Sequence, residues 1–93
     1  MKTEIIRNKQ IITVEKSDIL HAGQHESRIY VIIDQPADKY GRQLCLTRWT
    51  DVGGSEWECS HEFTSDEWTG IDDSIANEII NRPFVVKSMI DNY

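Results

Sequence analysis

Residues Phe63–Asn81 read FTSDEWTGIDDSIANEIIN, and the fold class turns on whether they form helices or extended chain. Thr64-Ser65-Asp66-Glu67 matches a capping box, with Thr64 as N-cap and Glu67 reaching back from the third helical position. Phe63 and Trp68 occupy the two positions of a hydrophobic staple. Acids in that first turn suit the positive end of a helix dipole. The pattern predicts a helix beginning at Thr64 and kept short by Gly70. A second helix is expected from Asp72, with Ile71, Ile75 and Ile79 four residues apart on one side. Pro83 ends it or opens a third. Val86, Met89, Ile90 and Tyr93 fit a helical stripe, with a strand over PFVV as the alternative.

Immediately upstream, Arg48–Phe63 (RWTDVGGSEWECSHEF) changes period. DVGG is a turn signal between RQLCLTRWT and SEWECSHEF, two runs that alternate as strands do. SRIYVIID, rich in β-branched residues, precedes them across the turn cluster QPADKYG. These three strands form an antiparallel meander. Pairing Val52 with Ser55 puts Trp57, Cys59, His61 and Phe63 on the face that carries Leu44, Leu46, Arg48, Ile29, Val31 and Ile33. Tyr30, Ile32, Thr47, Trp49 and the glutamates then face outward, and Arg48 is the misfit on the apolar side. On this assignment Cys59 belongs to the core and Cys45 to the outer face.

Nearer the N-terminus, TEIIRNKQIITVEK is expected to form two short strands joined by a tight turn, or one bent strand. SDILHAGQHESR, polar and interrupted by Gly23, is expected to be a loop with one helical turn. The expected fold is thus α+β over one domain, residues 1–93. It is a small antiparallel sheet of three central strands plus an N-terminal strand or hairpin, with C-terminal helices packed on one face.

Charge bounds the function. The chain carries 10 Lys+Arg against 16 Asp+Glu, a net charge of −6, which disfavours direct nucleic-acid binding because no positive field is present to displace counterions. The acids are unevenly placed. From Asp51 to Glu78 there are nine, with no Lys or Arg among those 28 residues. Met1–Arg7 lacks the apolar run of a signal peptide, no segment approaches transmembrane length, and two cysteines are too few for a secreted scaffold. A cytoplasmic protein with free thiols is expected, a Cys45–Cys59 disulfide being the one alternative.

No P-loop, G-x-G-x-x-G, nucleophile elbow or H-E-x-x-H is present. Cys59 and His61 with His21, His25 and Cys45 offer zinc-type ligands, yet no C-x-x-C knuckle organises them, and no metal or cofactor is expected. Cys59 and His61 also lack a third, orienting group for nucleophilic catalysis, and no enzyme activity is expected. The acids admit two readings, a solvated surface that keeps a small protein soluble and a surface aimed at a basic partner. The second reading assigns the partner-binding residues as Trp49, Asp51, Glu56, Glu58, Glu62, Asp66, Glu67, Asp72 and Asp73. The tryptophan acts as anchor and the acids imitate a nucleic-acid backbone. The expected function is a small acidic binding or inhibitor protein, a monomer or small homo-oligomer, of the kind found in phages and mobile elements. Its partner would be a basic protein, such as one that binds nucleic acid. The alternatives are an adaptor that binds by sheet-edge pairing and a small zinc-binding domain.

Overall fold

Backbone pairing decides the architecture, which is described for residues 1–65 and 67–87 by a computed structural model. Eight strands form two sheets: β1 (Lys2–Ile6), β2 (Lys9–Thr13), β3 (Ile19–His25), β4 (Arg28–Ile33), β5 (Gln43–Trp49), β6 (Glu58–Glu62), β7 (Gly70–Ile71) and β8 (Pro83–Lys87). The smaller sheet has the order β1-β2-β8 and the larger β6-β5-β4-β3-β7. The one α-helical element among the described residues, α1 (Asp73–Ala76), is a single turn. The protein is therefore predominantly β rather than α+β, and among the described residues no C-terminal helices pack on a sheet face.

The N-terminal hairpin forms as its sequence predicts, with Ile6 opposite Lys9 across Arg7-Asn8. So does the meander of β4, β5 and β6. Its last ladder pairs Leu46 with Cys59 and Leu44 with His61, leaving residues 50–57 as the connection. This register differs from a Val52–Ser55 pairing by two residues. An even shift leaves every side chain on its expected face.

Three expectations fail, each for a tertiary reason. The segment expected as a loop around Gly23 is β3, because β4 supplies an antiparallel partner from Gln24 opposite Ile29 up to a bulge between Ile19 and His21. Among the described residues the helix expected from Thr64 is absent. β6 and β7 lie at opposite edges of the larger sheet, so the chain between them must cross four strand spacings, about 19 Å. The eight steps from Glu62 to Gly70 advance only about 12 Å as an α-helix but up to about 26 Å when extended. A continuous helix does not reach; the described residues of the crossover are non-helical, with one turn in which Trp68 N–H donates to the Ser65 carbonyl at 3.0 Å. Phe63 is 68% exposed and staples nothing, and Thr64 donates its hydroxyl to Gln43 Oε1 at 2.8 Å instead of capping a helix. Asp66 lies outside the described residues.

The third correction concerns the C-terminal stripe. Pro83–Lys87 is a strand paired with β2, with Phe84 and Val86 buried and Val85 exposed in strict alternation. Met89, Ile90 and Tyr93 lie outside the described residues. The second expected helix shrinks to α1. Asp72 caps it by accepting from Ser74 N at 3.0 Å, and its buried residues are Ile75 and Ala76.

One hydrophobic cluster joins the sheets. Ile12, Val14, Phe84 and Val86 come from the smaller sheet, Ile29, Val31, Leu44 and Leu46 from the larger, and Ile75, Ala76 and Ile79 from α1 and the turn after it. Fully burying each aliphatic side chain contributes about 1.5–3 kcal/mol, so this cluster is the main source of stability. The other face of the larger sheet is covered too. The β6–β7 crossover lies over it, and Ile32 and Cys45 are fully buried while Thr47 is 4% exposed. The expected order of the thiols is thereby reversed. Cys45 is buried beneath the crossover, and Cys59, near the open edge of the core face, is exposed.

Candidate functional site

Among the described residues β6 and β8 are both edge strands, one from each sheet, and both leave backbone groups without a strand partner on one side. They approach at Cys59, whose Sγ lies 3.9 Å from the Val85 carbonyl oxygen. Around this point opens a groove of about 870 Å³, with Trp57 and Cys59 on the β6 side and Phe84 and Val86 on the β8 side. Glu56 and Glu58 add carboxylates to the first wall, and Arg82 and Lys87 add cations to the second.

Arg48 explains its own misfit. It sits on the apolar face of β5, but at the end of the strand it reaches the groove. There its guanidinium bonds Glu78 through Nε at 3.2 Å and through Nη2 at 2.9 Å. Its Cζ lies 5.8 Å from the centre of the Trp57 ring. Arg82 Nη1 donates to the Glu78 carbonyl at 2.9 Å, and its Cζ stands 5.7 Å from the Phe84 ring. The end of the groove is thus held by a guanidinium–carboxylate pair flanked by two aromatic rings. Glu78 closes the acidic run in the sequence, but here it serves as a brace.

The other acids of the run are dispersed. Asp51 lies in the exposed β5–β6 loop beside Trp49, which is 45% exposed and has Arg28 Cζ 5.8 Å from its ring centre. Glu62 is paired with Arg28 at 3.2 Å. Asp72 and Asp73 lie beside β7, at the far edge of the sheet from β6. Asp73 is bound to Lys16 at 2.8 Å, and the Ser74 hydroxyl, the largest influence on Asp72, holds that carboxyl below its ordinary range. Glu67 stands on the crossover. The structure therefore brings Glu56 and Glu58 together at the groove and Trp49 with Asp51 at the neighbouring loop. It places Glu67, Asp72 and Asp73 elsewhere.

The sulfur and imidazole groups do not assemble. Among the described residues no three His, Cys, Asp or Glu side chains converge on a point that would hold a metal ion. Both cysteines are free. Burial pushes the Cys45 thiol up to about 12. Although Cys59 is reached by solvent, the groove holds back enough water to push its thiol up to about 11. A nucleophilic cysteine needs the opposite shift, toward the thiolate.

Sequence reasoning missed β8 as a groove wall and Trp68 as part of a ring cluster. The signal for β8 was present in the alternation of Phe84, Val85 and Val86. For Trp68 the staple spacing pointed elsewhere. Among the described residues no helix is long and apolar enough to cross a membrane. Comparison with known protein families, with characterised proteins and with solved structures finds no match to this chain.

Proposed function

We propose that this protein is a binding module without catalytic chemistry of its own, and that it holds an extended segment of a partner protein in the groove between β6 and β8. The observation that carries this reading is the juxtaposition of two free strand edges across a groove with apolar side chains on both walls. An added strand satisfies backbone donors and acceptors along an edge, while Trp57 and the exposed Val85 offer apolar contacts for its side chains. The net charge of −6, with Glu56 and Glu58 on the β6 wall, favours a basic partner and speeds its approach. A purely charge-led contact over the whole acidic run is less favoured, because its carboxylates stand at opposite edges of the sheet and several are already paired.

Cys59 gives the test. It is the exposed thiol and lies in the groove, so a bulky maleimide attached there fills the proposed site. Proteins from native host cells are captured on the unmodified chain, on the Cys59-labelled chain and on Cys59→Ala. The expected result is a partner retained by the first and third, lost by the second, and eluted only weakly by added salt. Capture that is indifferent to the label, or that disappears at modest ionic strength, refutes strand addition and leaves a surface-charge contact.

A further inference from the structure

The opposite face of the larger sheet carries a second concavity, independent of the groove. The β6–β7 crossover lays Trp68 against two rings from neighbouring strands. The His21 and Trp68 ring centres are 5.7 Å apart with planes at 37°, and the Tyr30 and Trp68 centres are 5.8 Å apart at 55°. At these distances Trp68 packs directly on both rings. Gly23, opposite Tyr30 in the β3–β4 ladder, contributes only backbone. A Cβ there would come within 2.7 Å of His21 Nε2, so the absence of a side chain gives the imidazole its place over the strand. The resulting pocket holds about 470 Å³, within the range of small-ligand sites.

Its chemistry is specific. Four rings line one space, those of His21, His25, Tyr30 and Trp68; Gln24 and Glu67 line it too, and no Lys or Arg does among the described residues. His21 Nδ1 is buried with no hydrogen-bond partner among the described residues, an unfilled polar atom in the wall. The Arg28 guanidinium lies 4.6 Å from the Tyr30 ring centre, so that ring accepts a cation, and its charge is balanced by Glu62 at 3.2 Å. Aromatic rings with a glutamate beside them and, among the described lining residues, no Lys or Arg suit a cation that is weakly hydrated and broad. A methylated ammonium meets that description, whereas an unmodified lysine head loses more hydration on entry.

We propose that the pocket formed by His21, Tyr30, Trp68 and Glu67 binds an N-methylated ammonium group, as presented by a methylated lysine side chain or by a choline-type small molecule. The folded protein is titrated with N-trimethyl-lysine, with a short peptide bearing it, with choline, and with 3,3-dimethylbutanol, the uncharged tert-butyl counterpart of choline. Binding is followed by NMR shifts of the Trp68 indole N–H and the Tyr30 amide. The expected result is saturable binding of the ammonium probes at one site, with the neutral analogue weaker by about tenfold. Glu67→Gln, a surface change that leaves the fold intact, weakens the cations and leaves the alcohol unchanged. Trp68→Phe lowers affinity without abolishing it. A tighter peptide than choline identifies a protein-borne ligand, and the reverse order a free metabolite; either supports the site. No saturable shift with any ammonium probe, or equal binding of the neutral analogue, overturns it.

Discussion

Treating the folded protein with a maleimide at about pH 8 tests the placement of the crossover most directly, because the two thiols differ in both access and ionisation. Cys59 is exposed with its thiol pushed up to about 11, so about one molecule in a thousand carries the reactive thiolate at that pH. Cys45 is fully buried with its thiol pushed up to about 12, and the reagent reaches it only when the structure opens. If opening requires global unfolding against about 5 kcal/mol, about one chain in five thousand is open. In that open chain the thiol returns to an ordinary value and about one in four is ionised. The product is a Cys45 rate about twentyfold below that of Cys59. Quenched time points and peptide mass spectrometry read each site separately, and in denaturant the two rates should converge. Labelling of Cys45 first, or at the same rate in the folded state, refutes the claim that the β6–β7 connection covers that face. It would restore the arrangement that alternation alone suggested.

Phe84→Ala should cost about 3–5 kcal/mol in urea unfolding, while Val85→Ala, at an exposed neighbour, should stay within about 0.5 kcal/mol; equal costs would be inconsistent with a strand at Pro83–Lys87. Thr64→Ala should lose about 1 kcal/mol and be strongly non-additive with Gln43→Ala, since the two side chains share one hydrogen bond. Additive effects would return Thr64 to a capping role. Burial of Asp38 pushes its carboxyl up, but hydrogen bonds from the Arg42 and Tyr40 backbones and the Arg42 side chain outweigh this, and the net shift is downward. A lowered carboxyl contributes stability that is present above the ordinary Asp range and lost as pH falls through the lowered value. The advantage of the wild type over Asp38→Asn should therefore shrink in acid, and an unfolding midpoint whose difference is flat with pH would contradict that network.

The strands that the sequence alone determined are those whose alternation is strong and whose turns are short. In the meander of β4, β5 and β6, Ile29, Val31, Leu44 and Leu46 mark one face. The β1–β2 hairpin turns within two residues. Such pairing is local, so propensity and period carry it. The placement of Glu56 and Glu58 near Trp57 was legible for the same reason, since all three lie in one strand run. The rest depended on partners distant in sequence. β3 carries Gln24 and His25 around a glycine and has little strand character of its own; its conformation comes from the hydrogen-bonding groups that β4 presents to it. Thr64–Glu67 holds a good local helix start, worth about 1 kcal/mol, but a helix there is too short to join opposite edges of a five-stranded sheet. Val86 fits a helical stripe with Met89, Ile90 and Tyr93 as well as a strand over PFVV, and only the edge of β2 decided between them. The groove and the ring pocket arose from the same cause. Each is made by segments brought together after the sheets close, one by two free edges and the other by a crossover, and contacts between residues tens of positions apart leave no periodic trace in the chain.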